Sequence, residues 1–442
     1  MEIMKRRVLA AFLAMMLTCG VAFPGNAVYA AEVTETTVES AAAAEETAEQ
    51  TTDAAAETTP EESTEQPETT ETAEAAVTEA TEAEEPEATE AAESKPAAEM
   101  SAAEDVAAVK VTENMKYAAS GKCGDNLTWN YNNGVLTISG SGAMYDYPVY
   151  DTPGSSQCMP WYAYKSSITA VNIAEGVTSI GACAFWGCSS LASVTTPSTI
   201  STIGFGAFTD CTRLQQATIK SGFVGESAFI RCTALNTVTV GSGVTGFGIS
   251  AFENCTKLAV IKFNDGLLVI KKRAFFNAGL KNVTLPKTLL KIEMSAFEKC
   301  KKMTRVVFAS DIKMATVGYR IFANDSALKK IELPKNLRSV PKYMFYHCTS
   351  LTQVSGGERV TSIGTSAFEG CKKLPKITLR TKVQKIAKKA FFNCSKLKRV
   401  NIKSSALTKI EGKAFKKCHK KIKFDVPRKK IKAYKKLLKG KF

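Results

Sequence analysis

Histidine is almost absent from this chain: its 442 residues contain only His347 and His419. A zinc site draws its ligands from Cys and His at paired short spacings, and no such set occurs. Each histidine neighbours a cysteine, Cys348 and Cys418. Adjacent residues on a tight turn do not aim at one reacting atom, and a working Cys–His pair comes from distant parts of a sequence. No phosphate loop and no paired-carboxylate site stands out. The sequence therefore assigns no catalytic residue, no metal ligand and no cofactor, and an enzyme is not expected. Long apolar runs are missing too. Val8 to Leu17 is the apolar stretch near the N-terminus, and it is shorter than the roughly 20 residues that span a bilayer. Aromatics are missing from residues 32–105, and acids from most of the C-terminal part, where 372–442 holds 27 bases against Glu411 and Asp425.

These gaps divide the chain. Lys5, Arg6 and Arg7 precede the apolar stretch, and Val28-Tyr29-Ala30 follows it, which reads as a secretory signal peptide over 1–30 cut before Ala31. Cys19 would suggest a lipoprotein, but Met16-Leu17-Thr18 before it matches a lipobox poorly. Residues 31–105 form an Ala-, Thr-, Glu- and Pro-rich linker, with 24 acids and the single base Lys95 within 32–105. Such a segment buries too little apolar surface to offset its ordering entropy, so it is expected to be a disordered spacer. As a flexible coil it spans roughly 50 Å.

From Ile180 to Phe424 one pattern returns eleven times, anchored on Phe185, Phe208, Phe229, Phe252, Phe275, Phe297, Phe322, Phe345, Phe368, Phe391 and Phe415. The spacing is 21–25 residues. A large apolar residue stands five positions before every one of these phenylalanines, and Ala precedes nine of them, with Ile321 and Met344 as exceptions. The small residue implies close approach of two backbones. Triplets such as Val238-Thr239-Val240 and Ile377-Thr378-Leu379 alternate apolar and polar, the period of a short strand with one face inward. A period of 20–29 residues predicts a leucine-rich-repeat solenoid, here of about eleven repeats with short parallel strands over 171–425. Each repeat buries its apolar face only by stacking on its neighbours, which leaves one elongated surface for binding.

The repeat resembles the BspA-type leucine-rich repeats of bacterial surface proteins over about 180–424. The resemblance implies a secreted or surface-exposed protein that recognises a host or bacterial protein or a glycan, as adhesins of that family do, without identifying the ligand. Residues 121–147, GKCGDNLTWNYNNGVLTISGSGAMYDY, together with Pro160-Trp161, are similar to the β-rich cap that precedes such repeats, placed here at 106–170.

Both ends carry further signals. Leu127, Trp129 and Tyr131 alternate before Asn133-Gly134, and Leu136 and Ile138 continue after it, which predicts a hairpin. Trp161 and Tyr162 are expected to pack where the cap meets the first repeat. At the other end, 426–442 is expected to form a basic capping helix with Ile431, Tyr434, Leu437 and Leu438 on one face and Gly440 as its stop. A basic amphipathic helix lying on an anionic membrane or wall is the rival reading.

Nine of the thirteen cysteines fall three residues after a repeat Phe, with Ala278 and Asp325 in the other two copies. One cysteine per repeat reads as a ladder of small buried side chains. Parallel thiols pointing the same way are poor disulfide partners. Cys123 and Cys158 lie outside the repeats and could staple the N-terminal cap.

The formal charge of +15 hides two opposite parts: −23 in 32–105 and +36 in 106–442. A basic field of that size attracts anionic partners. For an exported chain these are an extracellular protein or glycan, or an anionic cell-wall polymer or lipid surface, and no nucleic acid is expected. The central residues of the strand triplets run from Thr195 to Asn401 and Lys423, and Arg305, Lys330, Lys376 and Arg399 lie two positions before their own central residue. These five bases are the candidate ligand contacts. An alternative is a structural envelope protein held by charge alone. The acidic linker could also fold back on the basic solenoid and compete with outside anions. Deleting 32–105 is then expected to raise affinity for an anionic polymer at low salt, and an unchanged affinity measured by calorimetry would exclude the competition.

Overall fold

A computed structural model describes residues 119–148 and 158–441. The expected signal peptide and the acidic linker lie outside the described residues. Three antiparallel strands open the described part, Ser120–Gly124, Leu127–Asn132 and Val135–Gly140. Asn133 and Gly134 both take positive φ, 46° and 84°. That is the type I′ turn, whose twist suits a two-residue hairpin, and the alternation places Leu127, Trp129, Leu136 and Ile138 in the core.

The hairpin does not stand apart from the repeats. Val135–Gly140 pairs in parallel with Ala170–Ile173, and the short strand Gly142–Ala143 pairs with Val177–Ile180. The cap is thus a partial coil that starts both ladders of the solenoid. One ladder is made by the longer strands, from Ala170–Ile173 to Lys423–Asp425. The other is made mostly by two-residue strands, from Val177–Ile180 to Lys409–Ile410. All the pairings between coils are parallel, with in-register partners such as Asn282↔Arg305 and Ile386↔Ile410. Gln216–Val224 and Thr237–Phe247 run round the corner and serve both ladders.

A third line of bonds runs through the phenylalanine corner, where no regular strand forms. The residues two before and two after each ladder Phe take positive φ in all eleven coils, and of these 22 residues only Gly187, Gly206 and Gly370 are glycine. Left-handed backbone costs an ordinary residue about 1–2 kcal/mol. Its return is geometric: alternate N–H groups all point at the following coil. In the Phe252 coil, the N–H groups of Ser250, Phe252 and Asn254 donate to the carbonyls of Lys272, Ala274 and Phe276 at 2.9, 2.7 and 2.9 Å. The small residue before Phe is explained here, because its carbonyl meets the neighbouring Phe N–H.

The Phe rings stack face to face along the interior, with centroids 4.9 Å apart for Phe208–Phe229 and 5.8 Å for Phe297–Phe322. Each buried ring is worth about 1.5–3 kcal/mol against exposure. Trp161 continues the stack at the front, 5.8 Å from Phe185, and its Nε1–H donates to the Ala184 carbonyl at 2.8 Å. It supplies both the ring and the donor that a preceding coil would have supplied. At the back, the Phe415 N–H finds the Lys441 carbonyl at 2.9 Å.

The C-terminal helix Ile431–Leu438 closes that end. Tyr434 and Leu438 are buried, and the Tyr434 hydroxyl donates to the Ser404 carbonyl at 2.9 Å while accepting from the Leu407 N–H at 3.1 Å. The helix caps the core, as the simpler sequence reading has it. Ile431, expected on the inner face, is instead 41% exposed. The helix has two turns, and its first residue lies beyond the edge of the last coil. Gly440 has φ of 72° and ends the helix as expected.

The cysteine ladder does more than fill space. Cys211, Cys232, Cys255, Cys300, Cys348, Cys371, Cys394 and Cys418 each donate S–H to the carbonyl of the Phe one coil back, at 3.0–3.2 Å. Burial pushes up the thiols of Cys188, Cys211, Cys255, Cys300, Cys348, Cys371 and Cys394, Cys188 to about 12. The staple between Cys123 and Cys158 stays an expectation of the sequence. Cys123 points into the core of the hairpin while Cys158 is only half buried.

Asp325 takes a cysteine's place in the ladder. It is fully buried, neither carboxylate oxygen has a hydrogen-bond partner, and burial pushes its carboxyl well above the usual range. A carboxyl raised in the folded state contributes most below its unfolded pKa of about 3.9, and that contribution is lost as pH rises through the folded value. Asp325→Cys is expected to stabilise the protein at neutral pH by about 1–3 kcal/mol. Urea melts of both proteins at pH 7 and pH 5 check this, because the gap should narrow on acidification.

Candidate functional surface

The outward positions of the longer strands form straight columns, because parallel in-register pairing puts equivalent residues side by side about 4.8 Å apart. One column reads Ser193, Gln216, Thr237 and Val260 in its first stretch. The same strand position reads Asn282, Arg305, Lys330 and Gln353 in the next sheet and Lys376, Arg399 and Lys423 in the last one. The five sequence candidates therefore take the same strand position in two sheets, Arg305 and Lys330 in one and Lys376, Arg399 and Lys423 in the next, and all five are exposed. Lys423 reaches this position by a correction of register. The sequence places Lys423 among the central triplet residues, but the structure pairs it with Arg399 and pairs Asp425 with Asn401. Val400 faces Phe424 across the same rungs, so the apolar residue that must point inward sets the register.

This position is uncharged at first, with the exposed Val260 among polar residues, and then mostly basic. Lys376, Arg399 and Lys423 stand on consecutive coils. Like charges directly opposite one another are destabilising in a sheet, so this arrangement is not what the fold alone prefers. Arg399 has one partner, its Nε lying 3.4 Å from an Asp425 carboxylate oxygen, and both side chains are more than half exposed. Arg305, Lys330, Lys376 and Lys423 form no ion pair among the described residues. On the ladder of short strands the charge is better balanced: Glu411 lies 3.0 Å from Lys385 and 3.4 Å from Lys409. Lys385 first, then the Lys388 N–H and Lys409, overcome the burial of Glu411 and lower its carboxyl.

The model of the BspA type leucine rich repeat region matches residues 160–278, 222–316 and 315–440. The chain belongs to the BspA-type leucine-rich-repeat family. Among solved structures, this BspA-type chain is similar to a leucine-rich cell surface protein from Faecalibacterium prausnitzii, at 24% identity and a TM-score of 0.38, covering 70% of this chain and 96% of that one. A leucine-rich repeat protein from Bacteroides ovatus matches at 24% identity and a TM-score of 0.33, covering 72% and 97%. The pneumococcal vaccine antigen PcpA matches at 15% identity and a TM-score of 0.28, covering 72% and 95%. No curated protein matches.

A second feature of this BspA-type solenoid lies on its phenylalanine corner and is not evident from the repeat pattern. Three arginines reach back one coil to a carboxylate with both nitrogens of the fork: Arg231 to Asp210, Arg273 to Glu253 and Arg320 to Glu298. Such bidentate pairs are strong and directional. The Arg273 guanidinium also lies 3.6 Å from the Phe276 ring centroid, and Arg320 lies 5.7 and 5.8 Å from Tyr343 and Tyr346. The available signal was the residue after the ladder Phe, which is Trp186, Phe276, Tyr346 and Phe392 in four copies. The same corner separates the two Cys–His neighbours. Cys348 points inward to the Phe322 carbonyl, while His347 stacks outward on Tyr346 at 4.0 Å. Among the described residues no group of three metal-ligating side chains converges.

Asp425 is the acid closest to the end of the basic column, and its pairing with Arg399 is too exposed to add much stability. Asp425→Asn is expected to leave the melting temperature unchanged and to raise the salt concentration at which the protein elutes from an immobilised sulfated polysaccharide. Elution at the unchanged position would show that the column does not contact the polyanion.

Proposed function

We propose that the solenoid is a non-catalytic recognition surface of an exported protein. It binds an anionic extracellular protein or glycan through the exposed bases Arg305, Lys330, Lys376, Arg399 and Lys423, in the manner of an adhesin. The observation that carries this reading is the alignment of Lys376, Arg399 and Lys423 on consecutive rungs, exposed and with a single carboxylate among them. A rigid row of cations about 5 Å apart matches a ligand that presents anions along a line. Membership of a family with surface-exposed members supports the location. The burial of the ladder thiols argues against cysteine chemistry, since a reactive thiolate sits in a partly exposed, electropositive setting.

A charge-held envelope protein is the second reading. It is favoured by lysines on other faces of the last coils, such as Lys409 on the short-strand ladder and Lys435 and Lys436 on the C-terminal helix. The two readings separate in one experiment. The full chain and its Arg399→Glu variant are titrated onto producer cells and onto host matrix proteins or mucin across a salt series, since salt screens exposed charge. Recognition predicts saturable binding to one component that survives physiological salt and falls at least about tenfold in the variant. Binding confined to producer envelopes, fading smoothly with salt and indifferent to the variant, would replace recognition by charge-held anchoring.

A further inference from the structure

The ladder of longer strands is interrupted twice, between Val260–Lys262 and Asn282–Leu285 and between Gln353–Gly356 and Lys376–Leu379. At the second break the sequence of one strand is distinctive. The fourth strand position carries an inward apolar residue in the neighbouring coils: Leu285, Phe308, Leu333, Leu379 and Ile402. Leu333 pairs with Gly356, where that side chain is missing. Gly356 and Gly357 take positive φ, 75° and 68°, and a Cβ on Gly356 would lie 2.2 Å from the Leu333 carbonyl oxygen. The backbone therefore requires glycine here, and the vacancy is built in.

A cavity of about 210 Å³ opens at the break. Its wall is apolar and includes Val340, Val360, Ile363, Phe368, Leu379 and Val383, each no more than 5% exposed. Its rim is polar, with Ser355, Thr378, Arg380 and Lys403. The Arg380 Nε–H donates to the Gly356 carbonyl at 3.3 Å, which holds the guanidinium at the mouth. Its Nη2 lies 3.8 Å from a Glu358 carboxylate oxygen, and both side chains are partly exposed. Lys403 is exposed and forms no ion pair among the described residues. An apolar pocket under a cationic rim selects an occupant with an apolar body and one anionic end. A dry cavity of roughly 150 Å³ takes up benzene, so this one has room for a ring with a short arm.

We propose that this cavity binds a small amphipathic carboxylic acid, with one ring or a short branched chain in the pocket and its carboxylate against Arg380 and Lys403. The site is separate from the basic column and does not depend on what that column binds.

The test uses the full chain with three probes in calorimetry and ligand-observed NMR: 3-phenylpropionate, toluene and acetate. The expected result is saturable binding of 3-phenylpropionate with a dissociation constant below about 1 mM, weaker binding of toluene and none of acetate. Val360→Phe fills the cavity and should abolish binding of both aromatic probes. Val383→Phe does the same from the neighbouring coil and serves if the first variant melts early. Arg380→Gln should weaken 3-phenylpropionate about fivefold or more and leave toluene unchanged. The proposal is overturned if no probe binds saturably, or if folded filling variants bind as before. It is also overturned in its choice of ligand if Arg380→Gln affects the two aromatic probes equally.

Discussion

Everything in this solenoid depends on the hydrogen bonds that leave the phenylalanine corner for the next coil. The corner cannot be a strand, because the chain must turn there within a few residues. It cannot leave its N–H groups unpaired either, because it covers the core. Left-handed backbone two residues before and two residues after the ring aims alternate N–H groups along the solenoid axis. Each coil then has donors that only another coil, or a cap, can satisfy. The periodicity of the sequence is the trace of that requirement, and so is the composition of the ends. Trp161 offers its indole N–H to the first coil, and Lys441 offers its carbonyl to the last.

The same requirement explains why cysteine recurs. The carbonyl of each ladder Phe faces the interior next to the following coil, and a small side chain with a weak donor both fits and bonds. Asp325 marks a coil where that donor is missing: neither of its carboxylate oxygens has a hydrogen-bond partner, and burial raises its carboxyl. On the outside of the corner the demands are looser. There Arg231, Arg273 and Arg320 tie neighbouring coils through carboxylates, and two of them also lie over aromatic rings. Inside, the pairing rule leaves little freedom; outside, it leaves columns of positions whose chemistry is open to selection by a partner. The basic column at the C-terminal end and the neutral, threonine-containing stretch before it are two uses of one scaffold.

Gly356 shows how such a scaffold acquires a pocket without a new domain. One inward side chain is missing from a ladder, the backbone is bent so that none can return, and a cavity stands beside the core where the sheet ends. The loss of packing is local because each coil contacts only its neighbours.

The sequence by itself determined the repeat, its count and its direction of burial. Those follow from side-chain periodicity, which is local and survives as a pattern of Phe, Ala, Cys and Ile at fixed offsets. It also marked the type I′ hairpin through Asn133-Gly134 and the capping role of Tyr434. Only the tertiary structure decided register across coils. The repeats vary from 21 to 25 residues, and the difference is absorbed in connections that the pattern does not align. That is why Lys423 moved by two positions to join Arg399. The cavity at Gly356 and the arginine forks were legible as residues but not as sites. A vacancy is the absence of a contact between coils, and a fork is a contact across one. Neither exists until the coils are stacked.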